Sequence, residues 1–223
     1  MITPHEETRP HRVLHALEHS SSSVRLRAAL EAGTTPDARF IGPLVERCAV
    51  EPEFPVREML TWALTRHPAP LTVPVLVGEV RSRRPQARSQ ALHTLSKTAD
   101  RSAWPVITPA LLADPDDDVA RSAWRAAVVL VPPGAERELA VLLATQLGRG
   151  TREVRLSLSR ALIALGEPVL PVLDRATADP DPGVRAHALA TERLWHDPDA
   201  GSEFAVEEAK RVVALGGEGP EGR

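Results

Sequence analysis

His11, His15 and His19 recur every four residues, the spacing that stacks imidazoles along one side of a helix, where two neighbours can share a divalent metal. The same stretch carries Val13, Leu14 and Leu17, which define the buried side and leave the histidines toward solvent with no residues to orient them. The three are weak metal candidates, and a solvated polar face is the expectation. Cys48 is the one cysteine, so neither an intrachain disulfide nor a cysteine metal cluster can form, and its apolar setting beside Leu44 and Val45 reads as core. A phosphate-binding glycine loop, a zinc-protease helix motif and a nucleophile elbow are all missing from the sequence. No catalytic residue and no cofactor is expected.

A second group suits binding rather than catalysis. Met59, Trp62, Arg66, Gln90, His93 and Lys97 join an aromatic and a thioether side chain to basic and amide groups, and Arg121, Arg125 and Arg160 follow farther along. An exposed tryptophan rimmed by arginine is the composition of a protein-binding hot spot. Trp62 equally fits a place between neighbouring helices, and both readings stand at this point.

A repeat must position these residues. A small apolar residue, usually followed by arginine, opens an alanine-rich helix six times: Val24-Arg25, Val56-Arg57, Ala87-Arg88, Val119-Ala120, Val154-Arg155 and Val184-Arg185. The spacing of roughly 30 to 35 residues means stacked supersecondary units, each unable to bury its apolar face alone. Each unit reads as a first helix, a polar turn and a second helix begun by the dipeptide. First helices are expected near His11–His19, Asp37–Ala49, Leu71–Val80, Trp104–Leu112, Ala135–Leu147 and Pro168–Ala176. Prolines suit first turns, but Pro109 and Pro171 lie deeper and predict broken first helices in the fourth and sixth units. Asp114 to Asp118 and Asp179 to Gly183 supply helix-start side chains.

Counting the opening apolar residue as position zero, Ala28, Leu60, Ala91, Ala123, Leu158 and Ala188 fall at +4 on the buried stripe. Position +6 points the other way and reads Leu30, Trp62, His93, Arg125, Arg160 and Ala190. Position +3 reads Arg27, Met59, Gln90, Ser122, Ser157 and His187, and +10 reads Thr34, Arg66, Lys97, Val129, Ala164 and Leu194. Across the outward positions, with Arg121 at +2 and Arg193 at +9, Glu58 is the one acid, so a basic inner groove is expected in a chain whose formal net charge is −3. Trp124, at +5, reads as core.

The composition agrees with this architecture. Aromatic content is 3%, too little bulk for a β-sandwich, and small side chains let helices approach closely. Of 27 basic residues only Lys97 and Lys210 are lysines, and there is no asparagine, a bias of GC-rich bacterial genomes. The slight net negative charge supplies no general footprint for nucleic acid. No stretch reaches the roughly 18 apolar residues of a membrane span, and Met1 to Pro10 has no apolar signal core, so a cytoplasmic protein without membrane attachment is expected.

The arrangement resembles the HEAT repeat family, in particular the HEAT-like repeats also found in phycobilisome lyases, best in Asp181-Pro182-Gly183-Val184-Arg185-Ala186-His187-Ala188-Leu189 and in Glu153-Val154-Arg155. The resemblance implies an all-α, armadillo-like fold, a right-handed α-α superhelix of about six hairpins with second helices on a concave face. The hairpins fall at about 9–34, 37–67, 70–98, 101–131, 133–166 and 167–197, after a flexible 1–8 and before a capping segment 203–215 and a disordered tail 216–223. Ala120 replaces the usual arginine in the fourth repeat, and the first three repeats lack the acid that commonly precedes the dipeptide. The dipeptide arginines are expected to be structural, pairing with turn carboxylates or carbonyls between repeats.

The function expected is a non-enzymatic scaffold that holds an acidic or phosphorylated segment of a partner protein in the basic groove, using Met59, Trp62, Arg66, Gln90, His93, Lys97, Arg121, Arg125 and Arg160. The alternative is nucleic-acid binding, or a glycosylase like the DNA-alkylation-repair enzymes, which share such repeats and place aromatic and carboxylate groups in a basic groove. Di-iron deoxyhypusine hydroxylases also share the repeat, but they use several His-Glu pairs where this chain has His5-Glu6 alone. The partner's identity, the pathway and the oligomeric state are not encoded in any of these features.

Overall fold

A computed structural model of the chain describes residues 4–197, with side chains from residue 9 onward. The described residues form helices and turns without a strand: α1 (Pro4–Leu17), α2 (Ser22–Thr34), α3 (Ile41–Cys48), α4 (Phe54–Thr65), α5 (Ala69–Glu79), α6 (Pro85–Thr98), α7 (Pro109–Leu112), α8 (Asp117–Leu130), α9 (Glu136–Ala144), α10 (Arg152–Ile163), α11 (Leu170–Ala176) and α12 (Pro182–His196). Odd-numbered helices are the first, and even-numbered the second, members of HEAT-like hairpins. The expected cap 203–215 and tail 216–223 lie outside the described residues, as do residues 1–3, while residues 4–8, expected as flexible, begin α1.

The chain forms two compact units, Met1–Leu143 and Ala144–Arg223. In the first, α1 packs on α2, α3 on α4, α5 on α6 and α7 on α8, while α2, α4, α6 and α8 lie side by side in that order. In the second, α11 packs on α12 and α10 lies beside α12. The +4 stripe is buried throughout, with Ala28, Leu60, Ala91, Ala123, Leu158 and Ala188 between 0% and 4% exposed. Trp124 is fully buried, and its indole N–H donates to the Leu112 carbonyl at 2.8 Å, tying α8 to α7. Cys48 is core as well.

The fourth and sixth first helices are broken, as the deeper prolines predict, and the first helix of the chain departs from its expected bounds. The fourth is split into a 3-10 turn, Arg101–Val106, and α7, which Thr108 caps by accepting the Leu111 N–H at 3.2 Å. The sixth starts as a 3-10 turn, Glu167–Val169, and passes into α11 with Pro171 in its first turn. Helix α1 starts earlier than His11 and ends at Leu17, so His19 is off the helix, where its Nδ1 accepts the Ser21 N–H at 3.0 Å. That contact removes His19 from the four-residue ladder and leaves His11 and His15.

The recurring arginine finds its carbonyls not between repeats, as expected, but in the turn between the two helices of its own hairpin. Its Nη1 donates to the carbonyls six and five residues earlier: Arg25 to His19 and Ser20, Arg57 to Glu51 and Pro52, Arg88 to Ser82 and Arg83, Arg185 to Asp179 and Pro180. Carbonyls at a helix C-terminus have no intrahelical donor, and a guanidinium supplies one while keeping further N–H groups for other partners.

Two arginines use that remainder to grip the next repeat. Arg25 meets Glu51 through Nε and Nη2, both at 2.7 Å, and Arg88 meets Asp114 through the same two nitrogens, both at 3.1 Å. Glu51 is wholly buried and also accepts from Arg47 Nε at 2.8 Å and from the Glu53 N–H at 3.1 Å. Burial alone would raise its pKa, but Arg25, the Glu53 amide and Arg47 outweigh that and hold the carboxyl at about 2. The acid that the second repeat lacks beside its dipeptide thus stands five residues upstream of Val56. In the fourth repeat, where Ala120 offers no guanidinium, Asp116 caps α8 by accepting from the Asp118 and Val119 N–H groups.

Because the Glu51 carboxyl is depressed in the fold from an ordinary value of 4.5 to about 2, it stabilises the protein above pH 4.5 and loses that contribution as pH falls toward 2. Glu51→Gln is therefore expected to cost about 3 to 5 kcal/mol at neutral pH, since it leaves Arg25 buried beside a neutral group. Urea melts of both proteins across this pH range check it, the difference between them shrinking as the medium becomes acid.

Candidate functional site

The outward face of the second helices in the first unit changes character from one end to the other. At +6, Leu30 on α2 is 45% exposed and Trp62 on α4 is 38% exposed, His93 on α6 is half-buried, and Arg125 on α8 is exposed. At +10, Thr34, Arg66, Lys97 and Val129 are all exposed. Along +6 the face thus passes from apolar on α2 and α4 to basic on α8, while the exposed cations Arg66 on α4 and Lys97 on α6 stand at +10. The +3 positions are not uniformly outward: Met59 and Gln90 are half-buried and Ser122 and His187 are buried. Neighbouring second helices lie against that flank, which an isolated helical wheel does not include. Arg160 is exposed on α10 in the second unit.

Both readings of Trp62 hold in part. One edge of the indole rests on α2 at Gly33, so closely that a Cβ there would stand 2.4 Å from Trp62 Cζ3 and 2.9 Å from the Ala63 Cα. Gly33 is thus the seat that fixes the ring, while the rest of the side chain remains accessible. Little in the sequence signals this seat, because a glycine near the end of an alanine-rich helix also suits a helix stop.

Charge on α6 and α8 is partly confined. His93 Nε2 lies 3.3 Å from Glu58 Oε1, but not in hydrogen-bonding geometry, so the contact is a loose electrostatic one. Burial pushes His93 below the usual imidazole range; Glu58 opposes this, and Arg125 and Lys97 add to it. At neutral pH the imidazole is uncharged. Arg125, although its side chain reaches solvent, is lowered by the protein packed around its guanidinium and by neighbouring Arg121, and its Nε and Nη2 donate weakly, both at 3.3 Å, to the Arg121 carbonyl and Ser122 Oγ. Arg121 is half-buried and lies 3.6 Å from the exposed Asp118. Lys97 is the least encumbered cation of the set.

Polar groups between α4 and α6 are incompletely matched. Thr61 Oγ1, Gln90 Oε1 and His93 Nε2 are buried without a hydrogen-bond partner. The same register positions between α10 and α12 form a closed network. There, Ser159 Oγ meets Thr191 Oγ1 at 2.7 Å and His187 Nε2 at 3.1 Å, and His187 Nδ1 accepts the Gly148 N–H at 3.0 Å. His187 is held neutral with its proton on Nε2, and burial pushes its pKa down. Unmatched buried polar atoms are rare in folded proteins, so the α4/α6 seam stands out against its closed counterpart.

Nothing comparable marks a catalytic or metal centre. Among the described residues no group of three His, Cys, Asp or Glu side chains is placed to hold a metal, and His11 and His15 are exposed on α1. Burial pushes the Cys48 thiol up to about 12, so it is not a nucleophile. No single described helix is long and apolar enough to cross a membrane.

No protein-family model matches the chain, and no curated protein sequence matches it. Among solved structures, it is similar to the karyopherin Kap121p bound to Pho4p, at 18% identity and a TM-score of 0.55, over 80% of this chain and 22% of that one. It is also similar to the CpcE–CpcF complex of phycocyanin lyase from Nostoc sp. PCC7120, at 20% identity and a TM-score of 0.49, over 86% of this chain and 76% of that one. An engineered protein aligns at 16% identity and a TM-score of 0.45, over 81% of this chain and 95% of that one. Kap121p is a HEAT-repeat protein, and the likeness to it establishes a shared fold of helical repeats.

The seat of Trp62 yields a direct check. Gly33→Ala should destabilise the protein by about 1 to 3 kcal/mol, because both the indole and the α4 backbone stand in the way of the new methyl group. In a Trp62→Ala background the same change should cost distinctly less, a coupling readable from a double-mutant cycle of thermal or urea melts.

Proposed function

We propose that the chain is a non-enzymatic binding scaffold, and that the outward face of α2, α4, α6 and α8 holds an acidic segment of a partner protein, carboxylate-bearing or phosphorylated. The observation that carries this reading is the joining, on one face, of an accessible and firmly seated Trp62 with the cations Arg66, Lys97 and Arg125. Apolar anchoring at the tryptophan supplies affinity, while the cations supply attraction and exclude basic partners. Arg121 contributes field more than contact, being half-buried beside Asp118. Met59 and Gln90 support the rim from half-buried positions. Arg160, exposed on α10, is proposed as a binding cation of the second unit by itself. Kap121p bound to Pho4p is an instance of this type of fold holding a protein partner, and by analogy it supports the same class of role here.

The alternative reading is a nucleic-acid binder or repair glycosylase acting through the same face. Glu58, the carboxylate that it would use, is turned toward His93 at 3.3 Å, and Asp118 beside Arg121 dilutes the field that a phosphate backbone requires. Generic duplex binding that falls steeply with log[salt] would favour it.

Lys97→Glu with Arg125→Glu is expected to abolish capture of protein partners from native extract while leaving the melting temperature within a few degrees, since like charges across an interface cost several kcal/mol. The control is Arg101→Glu with Arg137→Glu on exposed parts of the first-helix layer. Arg47 is unsuitable as a control because it holds Glu51. Retained capture by the Lys97/Arg125 variant and loss by the control would move the working surface to the first helices.

A further inference from the structure

Leu30 and Trp62 form one end of the face and Lys97 and Arg125 the other, and this order allows a statement about what the partner segment looks like. The statement rests on the binding reading above and sharpens it. Trp62 and Arg125 both occupy +6, so they stand at the same height on α4 and α8, with α6 between them. Packed helices are about 8 to 10 Å apart, which puts the two side chains about 16 to 20 Å from one another across two helix spacings. An extended chain covers about 3.3 to 3.6 Å per residue, so about five or six residues bridge that distance.

The apolar end is a shaped seat rather than scattered exposure. Leu30 lies one turn before Gly33 on α2, and Gly33 is where the indole of Trp62 rests, so the two side chains frame one apolar patch. At the basic end, Arg125 donates from Nε and Nη2 to the Arg121 carbonyl and Ser122 Oγ, both at 3.3 Å. Lys97 at +10 on α6 and Arg125 at +6 on α8 stand one helical turn apart in register on neighbouring helices, so they suit two carboxylates carried on separate side chains better than the clustered oxygens of one phosphate. Between the ends, the buried and unpartnered Gln90 Oε1, His93 Nε2 and Thr61 Oγ1 line the α4/α6 seam that the segment must cross.

We infer that the face reads a bipartite peptide: one large apolar side chain seated on Leu30 and Trp62, and a pair of carboxylates about five or six residues away at Lys97 and Arg125. Neither half suffices. An apolar peptide lacks the charge match, and an acidic peptide without the anchor gains only screened surface attraction.

Fluorescence anisotropy on the full chain tests this with synthetic probes that carry Phe and Glu-Glu separated by two, five or ten Gly/Ser residues, in both chain orders, alongside a Glu-Glu probe without Phe and a Phe probe with phosphoserine in place of Glu-Glu. The inference expects the five-residue spacer in one chain order to bind at least about tenfold tighter than the two-residue spacer and the Phe-less probe, since only there do both ends engage together. It also expects Trp62→Ala to remove the advantage of Phe and Lys97→Glu with Arg125→Glu to remove that of Glu-Glu. Equal binding of every acidic probe, with or without Phe, would overturn the bipartite rule and leave the acidic-segment reading standing. Tightest binding of the phosphoserine probe would overturn the choice of carboxylate. No binding of any acidic probe would overturn both this inference and the reading beneath it.

Discussion

Every hairpin in this fold ends its first helix in a turn whose carbonyls have lost their helical donors, and meeting that need organises much else. In four of the six repeats one arginine Nη1 serves two such carbonyls, at 2.7 to 3.4 Å. A guanidinium can do this and still present Nε and Nη2 as a fork, which an ammonium cannot. Where a carboxylate stands in the next repeat, as Glu51 and Asp114 do, the same side chain that closes one hairpin aligns its neighbour. The strong preference for arginine over lysine in this chain therefore has a structural use, whatever its genomic origin.

These clasps set the register in which the second helices lie. With +4 buried in every repeat, +6 on neighbouring helices falls on one side of the first unit, and residues far apart in sequence become rows on a face. Partner recognition on such a surface needs no pocket. The face changes character along the rows, at +6 apolar on α2 and α4 and basic on α8, with Arg66 and Lys97 exposed at +10. The α4/α6 junction has neither an arginine–carboxylate fork nor a closed hydroxyl network, in contrast to α2/α4 and α10/α12. That junction is instead bridged by Gln86, whose Nε2 donates to the Cys48 and Glu51 carbonyls at 3.0 and 2.8 Å.

What the sequence revealed followed from periodicity. The six opening dipeptides located the second helices, and the +4 stripe, the core position of Trp124 and the structural use of the dipeptide arginines all follow from a helix with one buried side. What it concealed depended on neighbours. Ser122 and His187 at +3 are buried because the adjacent second helix covers them, and no single helix carries that information. Glu51 stands five residues from its dipeptide and gains meaning only when Arg25 and Arg47 converge on it. His19 sits on the four-residue ladder by count, but α1 ends at Leu17. Gly33 looks like a helix stop until Trp62 is seen resting on it.

The central claim is that the outward row over α2, α4, α6 and α8 is the working surface. It is tested most directly by mapping a bound acidic peptide onto the isotopically labelled full chain by amide and indole chemical-shift changes. The account predicts that the Trp62 indole N–H and the amides around Lys97 and Arg125 move together, with one shared saturation curve. Shifts confined to α3, α5 and α9, with the Trp62 indole unmoved at saturation, would contradict it.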